Sequence, residues 1–197
     1  MQFKPFEPGI EVRGLGLQWI VGGFRILPDT GLRYLTRYGL TTPGPDGKPT
    51  LDPDGWNSLE KFLACFEAVS RDVGPNVLHD IGRNLGLNAP LPPTIRDVDA
   101  SLRAMDLTYH MFHRKAGAVM FDALTGRMLE GIGHYGFQRV GTEKKITSVC
   151  ENPYPCDFDR GVVLGFAGRF EPRAKVEHVA GPCRKNGADA CTYVVTW

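Results

Sequence analysis

The spacing of apolar residues along this chain changes near Gly117. Before that point they recur every three or four positions, the period of a helix; after it they tend to alternate, the period of a strand. The clearest helical stripe is Ile95, Val98, Leu102, Met105, Tyr109 and Phe112, at steps of 3, 4, 3, 4 and 3. Such steps keep six side chains on one side of a helix. Leu59, Phe62, Leu63, Phe66 and Val69 mark a second helical face, with Asn57 and Glu60 spaced as a capping box,. Between these two, "DVGPNVLHDIGRNLG" begins afresh with Pro75 in a first turn and ends near Gly86,. Thr94 and Asp97 are placed to cap the helix of the long stripe,.

After Gly117 the segments "GAVMFDAL", "GHYGFQRVG", "KKITSVC", "AKVEHVAG" and "CTYVVTW" read as short strands between turn residues,. One helix interrupts them at about 157–170, where Phe158, Val162, Phe166 and Phe170 recur every fourth position. Its glycines, Gly161, Gly165 and Gly168, predict close packing against a sheet. Near the start, "TGLRYLTRYGL" (30–40) reads as a short helix that stops at the Pro- and Gly-dense loop 41–55,. "LGLQWIVGGFRIL" reads equally as a strand or a buried helix. Helices first, then strands with one late helix, predicts an α+β fold: a mainly helical N-terminal half and an antiparallel sheet of four to five strands. Residues 1–55 form an N-terminal elaboration packed on a domain spanning 56–197.

The chain has 197 residues, 42% of them hydrophobic and 23% charged, enough for a real core,. A net charge of +1 gives no basic field for a nucleic acid or an anionic membrane,. There is no signal-peptide pattern and no apolar run of membrane-spanning length, so a cytoplasmic location is expected. In that compartment cysteines more often bind metal or act in redox chemistry than form structural disulfides.

Four of the five cysteines, Cys150, Cys156, Cys183 and Cys191, fall in the last 48 residues. Cys156 sits where a helix begins, and a helix N-terminus favours the thiolate. Cys183 and Cys191 frame "RKNGADA", whose Asn-Gly suits a hairpin connection that brings flanking thiols together,. Four such thiols would suit a structural zinc, or as an alternative an iron–sulfur cluster. On spacing alone a hairpin disulfide and unrelated core thiols stay open. Cys65, inside a helical pattern, reads as a small buried thiol.

The stretches "VGPNVLHDIGRNLG", "NPYPCDFDRGVVLGF" and "VEHVAGPCRKNGADACTYVV" resemble the vinyl-4-reductase-like ligand-binding domain, the sensor module of phenol-responsive activators. That domain shares a broader fold with haem nitric-oxide-binding and TRAPP-type proteins. The resemblance covers about residues 56–197 and implies a zinc ion on Cys156, Cys183 and Cys191. The family's glutamate position is held by Ala180, which cannot ligate. Cys150 is the expected replacement, with His178 as runner-up. The resemblance further implies binding rather than catalysis: a sensor that encloses a small apolar or aromatic molecule and acts through a homodimer or a separate signalling protein. An iron–sulfur or thiol redox protein and a TRAPP-like assembly module without ligand are the alternatives.

For such a pocket, His110 offers a hydrogen-bonding group, with Tyr109, Phe112, Tyr135 and Phe137 as walls. Asp106, His110 and His113 can share one flank of the same helix,. Surface or pocket-edge roles are the simpler reading for them, and no haem signature surrounds either histidine. Asp157 and Asp159 in "DFDRG" read as partners of a helix dipole rather than acid–base catalysts,. No P-loop, dinucleotide fingerprint or nucleophile elbow is present.

Overall fold

A computed structural model describes residues 2–24, 28–139 and 141–197. The end of the ambiguous N-terminal segment (25–27) and Val140, within an expected strand, lie outside the described residues. In chain order the elements are β1 (Ile10–Arg13), α1 (Leu15–Gly23), α2 (Pro28–Arg37), β2 (Thr42–Pro43), β3 (Pro49–Thr50), β4 (Trp56–Ser58) and α3 (Leu59–Asp72). Then come α4 (Pro75–Asn88), α5 (Val98–Met111), β5 (His113–Lys115), β6 (Ala118–Val119), β7 (Phe121–Asp122), β8 (Arg127–Met128) and β9 (His134–Tyr135). The chain closes with β10 (Lys145–Glu151), α6 (Cys156–Gly168), β11 (Lys175–His178), one 3₁₀ turn (Arg184–Asn186) and β12 (Cys191–Thr196).

The α+β class holds, and its arrangement differs from the expectation in the N-terminal half. The C-terminal sheet runs β11-β12-β10-β9 with antiparallel pairing throughout. A second four-stranded sheet, β4-β1-β5-β6, joins residues 10–13 to strands on either side of the helical run. Its strands are two to four residues long, and only β1 alternates, with Ile10 and Val12 buried. α1 resolves the ambiguous segment as a helix with Leu17, Trp19 and Ile20 buried. No helix among the described residues is long and apolar enough to cross a membrane.

Capping explains where the long helices start. Ser58, rather than Asn57, caps α3 by accepting the Lys61 N–H at 3.3 Å. Asp97, rather than Thr94, caps α5 through the Ala100 N–H at 2.8 Å. Pro75 begins α4 as expected, where its missing N–H is no loss,.

Gly161 and Gly165 of α6 face a helix, not a sheet, and Gly168 faces open space. A Cβ on Gly161 would lie 2.1 Å from the His79 carbonyl oxygen, and one on Gly82 would lie 2.1 Å from that of Phe158. Gly86 and Gly165 close the same seam one turn on, their added Cβ atoms 2.5 Å from the carbonyls of Val162 and Arg83. α4 and α6 therefore cross backbone to backbone. This contact, with α5 alongside and the C-terminal sheet beneath, sets the position of the first turn of α6. Along β10, Ile146, Ser148 and Cys150 point inward; along β12, Cys191, Tyr193 and Val195 do.

Candidate functional site

Three thiols meet where α6, the 3₁₀ turn and β12 begin. Cys156 Sγ lies 3.1 Å from Cys191 Sγ and 3.5 Å from Cys183 Sγ, and the last two are 3.8 Å apart. All are unbridged. His178, at the end of β11, joins them: one ligand atom from each of the four residues lies within 4.8 Å of the others. Its ring stacks on Tyr193 at 4.9 Å. Cys150 stands outside this group, fully buried, with its sulfur 3.8 Å from Ser148 Oγ. The contact with Cys156 Sγ, which either sulfur could donate, and the Arg184 backbone N–H, donated at 3.3 Å, hold the Cys191 thiol below the usual range. The same sharing raises Cys156.

Beneath the thiols runs a buried polar chain that the sequence did not announce. Arg184, next to Cys183, is fully buried and donates to Asp159, to the Asn152 backbone carbonyl, and to Asn152 Oδ1 at 2.6 Å. Asp159 also accepts from the Tyr135 hydroxyl at 2.5 Å. Burial pushes the Asp159 carboxyl up to about 6, and the Arg184 charge beside it limits the rise. An Arg in a hairpin and an Asp in a first helical turn both look like surface residues in sequence. Asp157 is the one that stays at the surface, paired with Lys185 at 2.6 Å.

Tyr135 is also a wall of an apolar chamber among α1, α3, α5 and α6. Trp19, Phe62, Phe66, Tyr154 and Phe158 also line it, with Val12 and Gly16. Of the expected pocket residues, Tyr109, Phe112 and Tyr135 line this space; His110 and Phe137 do not. Phe137 lies under the Arg103 guanidinium at 4.0 Å. The chamber leaves about 50 Å³ for the centres of water-sized molecules. One water takes roughly 10–15 Å³ of such space, so the chamber holds about four waters' worth, or about 120 Å³ of liquid. The hydroxyl and imidazole groups on its wall are bonded to protein. The Tyr109 hydroxyl donates to the Ile132 carbonyl at 2.8 Å, and Thr108 to that of Ala104 at 2.8 Å. His113 Nδ1 donates to the Tyr109 carbonyl at 2.7 Å, and Nε2 accepts from the Tyr154 hydroxyl at 2.8 Å. Burial drives the His113 imidazole down to about 4, so it is neutral.

No protein-family profile and no curated protein matches this chain. Solved structures do. An H-NOX protein from S. oneidensis in the Fe(II)NO ligation state is 14% identical, with a TM-score of 0.60 over 93% of this chain and 97% of that one. A structure from a study of haem distortion in the H-NOX family is 16% identical, with a TM-score of 0.60 over 94% of each. An H-NOX variant from K. algicida is 12% identical, with a TM-score of 0.58 over 93% of this chain and 95% of that one. Two expectations are corrected by this finding. The fold neighbours are H-NOX domains, not vinyl-4-reductase-like domains, and short local motifs had carried the earlier resemblance. The neighbours are haem proteins, so zinc or an iron–sulfur cluster as the cofactor is not upheld.

The residues of this chain do not fit a haem in the chamber. A porphyrin is several times larger than the space present, and sites for molecules of that kind run to roughly 300–1,000 Å³. His113 is the one histidine on the wall among the described residues, and both its nitrogens are engaged. Among the described residues no Lys or Arg reaches the wall to meet propionates. At these identities the likeness establishes architecture alone: this chain carries the fold seen in H-NOX proteins.

Proposed function

We propose that this chain is a small-molecule sensor or regulatory domain whose ligand is uncharged, mainly apolar and no larger than a single aromatic ring. The observation that carries the reading is the chamber itself, ring-walled and with every polar wall atom named above already bonded to protein. Such a site binds by apolar burial, at about 25 cal/mol per Å² removed from water, and it selects by size. A route outward is built into the wall. Tyr135 touches the chamber, holds Asp159, and through it Arg184 and the Cys183 hairpin. A ligand that shifts Tyr135 therefore shifts a surface hairpin, and a second copy of the chain or a separate protein reads that change.

Trp19 on the wall is the reporter. Toluene or phenol added to the intact chain should change its emission saturably and raise the melting temperature. Absence of both effects across single-ring compounds, or a protein that takes up one equivalent of haem, would overturn this reading.

A further inference from the structure

A different cluster joins α5 to β9. Asp106 and His110 stand one turn apart on α5, and His134 opens β9. One ligand atom from each lies within 4.8 Å of the others. The Asp106 carboxylate already bridges helix and strand: Oδ1 accepts the Tyr135 N–H at 2.8 Å, and Oδ2 lies 3.1 Å from His134 Nδ1. Glu130 reaches His134 Nε2 at 3.0 Å from the solvent side. The rings of His110 and His134 are 5.0 Å apart.

His110 is the unexplained member. It is completely buried, and its Nδ1 lies 2.8 Å from the backbone carbonyl of Asp106. A carbonyl only accepts, so Nδ1 carries the hydrogen and Nε2 carries a lone pair. That Nε2 has no partner; the nitrogen nearest the Asp106 carboxylate is Nδ1, 3.7 Å from Oδ1. A buried acceptor without a donor calls for an explanation. An imidazole with one N–H fixed by a backbone carbonyl and the other nitrogen open is how metal-binding histidines are held.

We propose that Asp106, His110 and His134 form a binding site for a divalent first-row transition cation of the cobalt or nickel class. Two imidazoles and one carboxylate suit such ions better than calcium or magnesium, which prefer all-oxygen shells. Three protein ligands leave positions open for water, and Glu130 stands at the rim to accept from it. The ion replaces the His134–Asp106 bond and ties β9 to α5. The neighbours Tyr109 and Tyr135 line the chamber, so the ion also stiffens that wall, but the site does not depend on the chamber holding a ligand.

The thiol corner offers competing donors, so the test separates the two. The intact chain, reduced and oxygen-free, is titrated with Co(II). Native mass spectrometry counts bound ions, and absorption distinguishes thiolate-bound cobalt, which gives strong near-ultraviolet charge transfer, from cobalt on nitrogen and oxygen, which does not. One equivalent should bind without the charge-transfer band, and His134→Ala should weaken that equivalent at least about tenfold. If His134→Ala melts below the parent without metal, His134→Gln keeps a polar side chain there and should show the same loss. No bound cobalt, cobalt seen only with the thiolate band, or unchanged affinity in the folded His134 variant would each overturn the proposal.

Discussion

Arg184 donates to Asp159 deep inside the protein, with neither side chain reaching solvent. The pair ties the Cys183 hairpin to the first turn of α6 across 25 residues of sequence. Removing one partner strands the other charge in the interior, at about 3–5 kcal/mol. Arg184→Met should therefore lower unfolding free energy by about that much in urea titrations. The double change Arg184→Met with Asp159→Leu should recover most of the loss, because an apolar pair leaves no orphan charge. A double variant as unstable as the single would show that the pair is not the cause.

Acid should destabilise this fold through His113. Its imidazole falls from 6.5 to about 4 on folding because it is buried, with Nε2 accepting from Tyr154. Above pH 6.5 both states are neutral there and the contribution is complete. As pH falls, the unfolded chain takes a proton that the folded chain refuses. The loss reaches about 2.5 kcal/mol near pH 4.5. Asp159 works in the opposite sense, since its raised carboxyl favours the folded state at low pH. The comparison is therefore between parent and His113→Gln. The variant should lose about 2.5 kcal/mol less between pH 7 and 4.5; equal losses would remove His113 from the account.

Glycine substitutions should separate seam from surface on α6. Gly161→Ala sets a methyl 2.1 Å from a carbonyl oxygen of α4, so the helices must part. Overpacking of this kind costs about 1–3 kcal/mol or more. Gly168→Ala meets nothing within 4 Å. There the helix preference for alanine should leave stability unchanged or raise it by up to about 1 kcal/mol. The melting temperature should fall for Gly161→Ala and hold or rise for Gly168→Ala.

The parts of this molecule that were legible in sequence are those with local causes. The stripe from Val98 to Tyr109 is a helix, and β10, β11 and β12 lie where alternation put them. Turn chemistry around "RKNGADA" brought Cys183 to Cys191; that Cys156 joins them was implied only by the resemblance, which also led to Cys150, and Cys150 lies outside the group. The rest depends on pairing at a distance. β4 and β5 are three residues each and β1 alternates over only four, so their hydrogen bonding to one another is what makes them a sheet. Gly161, Gly165 and Gly168 looked like a packing surface for a sheet, yet Gly161 and Gly165 meet α4 because its own glycines lie at matching height. Arg184 and Asp159 carry no sign of burial in their neighbours. His134 belongs to an acidic and imidazole cluster only once β9 lies on α5.

Tyr135→Phe should cut the link between chamber and hairpin while leaving the chamber's shape intact. The hydroxyl donates to Asp159 at 2.5 Å, and a hydrogen bond to a charged group contributes about 1.5–3 kcal/mol,. Stability should fall by about that amount. Affinity for a single-ring ligand should change little, since the ring that lines the chamber is kept. The signal should be lost. Cys183 is the half-buried thiol of the corner, so its alkylation rate reports the state of the hairpin. In the parent, a saturating ligand should change that rate; in Tyr135→Phe it should not. If the ligand alters Cys183 alkylation equally in both, the information does not pass through Tyr135 and Asp159, whatever the chamber binds.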